Sequence, residues 1–261
     1  APPCPQEGTA FMIVIAHLSD IHIGATPDAV ARADRVMRYL DALPQDDLDA
    51  VLVTGDIADH GLAEEYERAR RVLTSRHVVL TCPGNHDVRA EYRRVLLGEP
   101  EPRPGPVNQV RRTSRAIYAM CDSSIPGENA GRLEEETIAW LEGVLEGADL
   151  PVFVAFHHPP VTLHSPPLDA IRLHRPQCLE ALLAGRAAVP AVLTGHAHTP
   201  AATTFAGRPL LVAPGVVSTV RLPWEGGTTL GNCIDYDLPP ALAFHVLDDD
   251  GRMTTHYRVV P

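Results

Sequence analysis

Over its first two hundred residues the chain alternates short apolar runs with segments of helical period, and this restricts the fold more than any other property of the sequence. Residues 11–18 (Phe-Met-Ile-Val-Ile-Ala-His-Leu) form an apolar run bounded by polar residues, the pattern of a strand covered on both faces. Thr26 followed by Pro27 reads as an N-cap with proline at the first helical position. Val30, Ala33, Met37 and Leu40 then recur at spacings of three and four, with Arg32, Arg35 and Arg38 directed elsewhere. The cycle repeats as strand 49–54, helix 62–73, strand 77–81 and a short helix over 88–97. A proline-rich loop over 98–110 precedes a strand near 115–120 and a helix over 133–145, in which Leu133, Thr137, Trp140, Leu141 and Val144 share a face. Strand 151–156, helix 177–184 and strand 191–194 complete the alternation. Beyond residue 200 the segments are short and strand-like, ending in 241–247 and 253–259 around the acidic turn 248–251. No internal repeat or linker interrupts the pattern. The expectation is a mobile tail over 1–10 and a single α/β domain over 11–261, β-rich from about residue 200.

Composition removes several classes of function. Lys and Arg total 22 against 33 Asp and Glu, a formal charge of −11. A broad phosphate-neutralising surface for a nucleic acid polymer is therefore disfavoured. Every basic residue is Arg and none is Lys, which excludes any mechanism that needs a catalytic lysine. The five cysteines, at 4, 82, 121, 178 and 233, include no Cys-x-x-Cys pair. That argues against a disulfide framework and a thiolate zinc site, and for a reducing, cytoplasmic setting. Cys82, Cys121 and Cys178 are expected to be packed as buried thiols. No apolar run approaches the ~18 residues of a membrane span, and the first residues lack the basic region of a secretory signal.

The ends of the strands carry the chemistry. The first expected strand runs into Ser19-Asp20-Ile21-His22. The second ends in Thr54-Gly55-Asp56, with Asp59 close behind, and the third in Pro83-Gly84-Asn85-His86-Asp87. Later strands end in His157-His158-Pro159-Pro160 and Gly195-His196-Ala197-His198. Ligands gather beyond the carboxyl ends of strands in an open α/β sheet, so the five clusters should converge. Carboxylate, imidazole and amide oxygen without thiolate suit hard-to-borderline divalent metals. In Asp20-x-His22 and His196-x-His198 the spacing puts two side chains on one side of an extended segment. Any one cluster alone is weak: Asn85-His86-Asp87 is equally an Asx turn, and His157-His158 an exposed strand end. Their joint occurrence, each after an apolar run, is the strong signal. His17, His60, His77, His164, His174, His245 and His256 lack such company and read as structural or surface residues.

Taken together, Asp20-x-His22, Gly55-Asp56, Gly84-Asn85-His86-Asp87, His157-His158-Pro-Pro and Gly195-His196-x-His198 resemble the signature of the calcineurin-like metallophosphoesterase superfamily. The resemblance implies an α/β fold of four αββα layers, two mixed β-sheets flanked by helices. It also implies two metal ions (manganese, iron or zinc). Asp20, His22 and His198 would hold the first, Asn85, His157 and His196 the second, and Asp56 would bridge them. His86 would be the catalytic proton donor, with Asp87 orienting it or its loop and His158 in an outer or substrate-facing place. The implied reaction is in-line attack on phosphorus by a hydroxide generated between the two ions.

The sequence is less similar to the other branches of that superfamily. No arginine follows Asp56, as in the protein Ser/Thr phosphatases, and no tyrosine stands near it, as in the purple acid phosphatases. The chain is most similar to the bacterial class III cyclic-nucleotide phosphodiesterases and their glycerophosphodiesterase relatives. That resemblance implies a small-molecule substrate such as cyclic AMP, with a glycerophosphodiester or a phosphomonoester as the alternative. A non-catalytic scaffold of this fold is disfavoured because all seven candidate ligands and His86 are present. Arg221, Trp224, His158 and His164 are candidates to border the pocket, and the region from residue 200 onward to supply a lid or, if the chain is a homodimer, an interface.

Overall fold

A computed structural model describes residues 12–44, 47–101 and 103–261; the tail expected over 1–10 lies outside them. The first half runs β1 (Ile13–Leu18), α1 (Ala29–Asp41), β2 (Ala50–Thr54), α2 (Ala63–Val72), β3 (Val79–Cys82) and α3 (Arg89–Glu91). After a π-helical stretch Tyr92–Leu96 come β4 (Gln109–Arg112), β5 (Ile117–Met120), β6 (Gly131–Arg132), α4 (Glu135–Glu146) and β7 (Val152–Ala155). The second half contains α5 (Pro166–Asp169), β8 (Leu173–His174), α6 (Gln177–Leu183), β9 (Val192–Thr194), β10 (Ala201–Phe205) and β11 (Arg208–Val212). It closes with β12 (Thr219–Val220), α7 (Leu230–Cys233), β13 (Ile234–Asp235), β14 (Ala241–Leu247) and β15 (Met253–Val259).

Two mixed sheets form the centre, in the orders β15-β14-β1-β2-β3 and β10-β11-β9-β7-β5-β4. Side-chain alternation along each strand explains why the sequence shows continuous apolar runs. Ile13 and Ile15 of β1, Leu52 of β2, Phe153 of β7 and Leu193 of β9 point between the sheets into a shared core. Their neighbours Ala16, Leu18, Val51 and Val53 point the other way, against Val36, Met37 and Leu40 of α1 and Tyr66 of α2. On the far side Val154 and Val192 meet Leu141 and Leu145 of α4 and Leu179 and Leu183 of α6. These three apolar layers separate four structural ones, the expected αββα sandwich. The hairpin β14–β15 adds to the first sheet through antiparallel pairing of β14 with β1.

Three local expectations are corrected. Helix α1 begins at Ala29 behind Asp28; Thr26 Oγ1 donates to the Asp28 carboxylate (2.8 Å) instead of capping the helix. Arg32, expected to face away from the core, is buried. Its guanidinium is a fork fitted to carbonyls, donating to Val216 O (2.9 Å), Tyr236 O (3.4 Å) and Leu238 O (2.5 Å). Cys178 is exposed, because α6 buries Leu179 and Leu183 instead; Cys82 and Cys121 are buried thiols as expected. His17 and His245 are structural: His17 Nδ1 meets His245 Nε2 (3.0 Å) and His17 Nε2 meets Thr54 Oγ1 (2.9 Å).

Candidate metal centre

Strands β1, β2 and β3 run parallel in one sheet, as do β7 and β9 in the other, and the residues just past their carboxyl ends meet where the sheets come together. The junction is hydrogen-bonded within and across the sheets. Ser19 Oγ donates to Thr54 O (2.8 Å) inside the first sheet, and across the sheets His157 Nδ1 donates to the same carbonyl (2.6 Å) and the His196 N–H donates to Asp20 Oδ2 (3.0 Å). Asp20, His22, Asp56, His196 and His198 all have positive φ, between 40° and 66°. Non-glycine residues rarely adopt that conformation, and it persists only where surrounding structure imposes it. Here it turns each side chain out of the strand direction and into the junction. Two glycines make room. A Cβ on Gly84 would lie 2.2 Å from Asp56 Oδ1, and one on Gly55 (φ +91°) would lie 2.4 Å from His157 Nδ1.

The seven ligand candidates from the sequence come together. Asp56 Oδ2 lies 3.4 Å from His22 Nε2 and 3.3 Å from His157 Nε2. Asp20 Oδ1 lies 3.4 Å from His198 Nε2 and 3.9 Å from the Nε2 atoms of both His22 and His157. His22 and His198 bring their Nε2 atoms to 3.3 Å, His157 Nε2 is 3.2 Å from Asn85 Oδ1, and His196 Nδ1 is 3.1 Å from His157 Nε2. The far ring nitrogens of His22, His157 and His198 are already committed, whereas His196 Nε2 is buried with no hydrogen-bond partner among the described residues. His22 Nδ1 donates to Asp59 Oδ1 (2.9 Å), His157 Nδ1 to Thr54 O, and His198 Nδ1 pairs with Ser218 Oγ (2.8 Å). Such outer partners fix the imidazole so that the opposite lone pair faces inward, as metal-binding histidines require.

Electrostatics fit a cation. Asp20 Oδ1 is buried and has no hydrogen-bond partner among the described residues, although it faces three imidazoles. An orphaned buried carboxylate oxygen is expensive unless a positive charge satisfies it. Burial alone would lower His157, yet Asp56 and Asp20 push it up to about 9. Burial likewise opposes the charged form of His22, but Asp56, Asp59 and Asp20 raise it. Asp56, which burial would raise, is held well below the carboxylate range by His157 and His22. His196 and His198 are lowered, first by burial and then by neighbouring imidazoles, so they keep neutral donor nitrogens. The residues present therefore suit divalent cations, and Asp20–His22–His198 and Asp20–Asp56–His157 are each close enough to share one.

The remaining candidates are placed less uniformly. His86 lines the cleft beside the centre, with its ring 4.6 Å from that of His22, and its Nδ1 donates to Asp59 O (2.8 Å). Asp87 orients the loop and not the imidazole. Its carboxylate accepts from the N–H groups of Ile57, Ala58 and Gly84 and from the Tyr66 hydroxyl, at 2.8–3.1 Å. Burial and the nearby Asp56 raise Asp87 to about 6. His158 is fully buried beside His157, with Nδ1 on Ser123 Oγ (2.8 Å) and Nε2 on Asn129 O (3.2 Å), and does not line the cleft. Arg221, Trp224 and His164 do not border the cleft. Arg221 pairs with Asp235 (2.7 Å), and Trp224 is 73% exposed. Sequence reasoning gave Asp59 no role, although its position after Asp56 was the available clue. It missed Asn129 and the apolar side chains from α5, α7 and β13 on the cleft wall.

Comparisons with known proteins show what the chain is similar to. The family model for calcineurin-like phosphoesterase matches residues 13–200. A cAMP/cGMP dual specificity phosphodiesterase of Mycobacterium tuberculosis is 33% identical over 230 residues, 84% of this chain and 72% of the relative. A glycerophosphodiester phosphodiesterase of Enterobacter lignolyticus is 32% identical over 220 residues, covering 80% of this chain and 79% of the relative. Among solved structures, a dimetal phosphatase from Danio rerio superposes with a TM-score of 0.64 at 14% identity, covering 95% of this chain and 96% of that one.

Proposed function

This chain belongs to the calcineurin-like phosphoesterase family, and from that premise we propose that it is a dinuclear phosphodiesterase acting on 3′,5′-cyclic nucleotides such as cyclic AMP. The observation that carries the reading is the position of Asp56 Oδ2, 3.4 Å from His22 and 3.3 Å from His157, between two sets of inward-facing donors. Asp20, His22 and His198 would hold one ion and Asn85, His157 and His196 the other, with Asp56 shared. Two bound cations supply neutralisation of the phosphoryl charge and bring the pKa of water toward neutrality. The protein holds the donors in place through Asp59, Thr54 and Ser218. His86, its Nδ1–H held by the Asp59 carbonyl, would offer a proton from Nε2 to the departing oxygen. The oxygen-and-imidazole donor set is compatible with manganese, iron or zinc.

A small-molecule substrate fits the formal charge of −11 better than a nucleic acid polymer does. The cyclic-nucleotide assignment is supported by the mycobacterial relative at 33% identity, and a glycerophosphodiester is the second reading, supported by the Enterobacter one at 32%. Unpaired Cys82, Cys121, Cys178 and Cys233 support a reducing, cytoplasmic setting. The decisive experiment couples elemental analysis of the purified protein to a substrate panel of 3′,5′- and 2′,3′-cyclic nucleotides, a glycerophosphodiester and 4-nitrophenyl phosphate. We expect about two metal ions per chain and a preference for diesters over the monoester. Turnover that survives exhaustive chelation would overturn the proposal.

A further inference from the structure

The cleft over the metal centre has a volume of about 290 Å³ and two unlike ends. The polar end is the centre itself. The other end is a wall of Leu168 and Ile171 from α5 and its C-terminal flank, opposed by Leu230, Ile234 and Tyr236 from α7, β13 and the residue just beyond it. Leu168, Val220 and Cys233, with Ile171 packed on them, form a small apolar cluster of their own, separate from the three layers of the sandwich. Leu230, Ile234 and Tyr236 remain 48%, 40% and 47% exposed, so the fold leaves apolar surface uncovered beside the polar centre.

We propose that this wall is the specificity arm of the site and seats a flat aromatic substituent of the phosphodiester, so that aryl or nucleoside esters are selected over glycerol esters. The inference rests on the phosphodiesterase reading and adds which part of the substrate is recognised. Three features support it. The arm is continuous with the centre, so a substituent attached to the reacting phosphorus reaches it without leaving the cleft. Away from the centre the lining offers few polar side chains, and of these Ser218 is already paired with His198, so glycerol hydroxyls would find few partners. Among the described residues no arginine lines the cleft, so a second phosphate would find no arginine counter-charge there.

The test separates recognition from turnover. Metal-loaded protein is titrated calorimetrically with phenylphosphonate and with methylphosphonate, which share the phosphonate group and differ in the ring. We expect the phenyl compound to bind about ten- to a hundredfold more tightly, as burial of one aromatic ring predicts. That ratio should fall at least about fivefold in Tyr236→Ala and in the double variant Leu230→Ser/Ile234→Ser. A ratio near one in the unaltered protein, or one that neither variant changes, would overturn the arm. Hydrolysis of bis(4-nitrophenyl) phosphate by the same preparation is the independent check. Absent turnover with the binding ratio preserved would overturn the phosphodiesterase reading and leave aromatic recognition standing.

Discussion

The floor and the wall of the cleft are built in opposite ways. The floor is made of side chains just past the ends of long-range paired strands from both sheets, with Asp20, His22, Asp56, His196 and His198 at positive φ and the outer ring nitrogens of His22, His157 and His198 tied to Asp59, Thr54 and Ser218. The wall is made of elements two to four residues long and their flanks, from which Leu230, Ile234 and Tyr236 stay partly exposed while Leu168 and Val220 are buried. Chemistry that depends on sub-ångström placement belongs on the first kind of support. Recognition of a substituent tolerates the second, because apolar contact is non-directional. The contrast predicts that substitutions in the floor act on turnover and metal content, and substitutions in the wall on selectivity.

The largest effect is expected at the shared carboxylate. Asp56→Asn removes the charge facing both His22 and His157, and should lower metal content at both positions and turnover by about 10⁴-fold or more. Elemental analysis and diester hydrolysis measure the two together; a variant with full metal content and near-normal rate would refute the bridging role. His86→Ala is the sharper probe, because its side chain lines the cleft and among the described residues is hydrogen-bonded only at Nδ1, to Asp59. It should keep its metals and lose about 10²–10⁴-fold in rate, the range of a general acid. Metal loss in that variant would move His86 from proton donor to ligand.

The same contrast explains how much could be read in the sequence. The convergence at the floor was legible because each candidate ligand follows an apolar run and most have a glycine or a second candidate within two residues, so local pattern and long-range position coincide at Asp20-x-His22, Gly84-Asn85 and Gly195-His196. The layered fold was legible for the same reason, since covered strands are continuous apolar runs. The wall was not legible. Leu168, Ile171, Leu230, Ile234 and Tyr236 come from segments too short for a period to emerge, and they meet only through tertiary packing. Arg32 was misread because its spacing places it beside exposed arginines, while its partners are carbonyls some two hundred residues away. Asp87 was legible as important but not in its task, because sequence adjacency to His86 does not reveal that its carboxylate faces the 57–58 backbone.

Beneath the floor, a buried chain links Thr255, His245, His17 and Thr54, and so joins β15, β14, β1 and β2. Burial pushes His245 down to about 3 and His17 well below its ordinary value, with His245 adding to the effect on His17. The folded state therefore binds fewer protons than the unfolded chain between about pH 3 and 6.5. The stability these groups contribute is full above pH 6.5 and is lost as pH falls. One such histidine contributes a slope of about 1.4 kcal/mol per pH unit. Denaturant unfolding of the chelated protein from pH 7.5 to 4.5 should thus be flatter by about one proton in His245→Gln than in the unaltered chain. Equal slopes would mean that the buried pair takes up protons in the folded state.

The smallest effect tests whether the wall is held separately from the floor. Arg32 reaches from α1 to the carbonyls of Val216, Tyr236 and Leu238, and so holds from behind the segment that presents Tyr236 to the cleft. Lysine at this position keeps the charge but loses the planar fork that serves several carbonyls at once. Arg32→Lys should cost about 1–2 kcal/mol in unfolding free energy, the range of a charged hydrogen bond lost from a buried site. Its local signature should be faster proteolysis within residues 221–238, a reduced phenyl-to-methyl binding ratio and unchanged metal content. If metal content fell together with that ratio, the two halves of the cleft would be one mechanical unit, and the division between a rigid floor and an adaptable wall would be wrong.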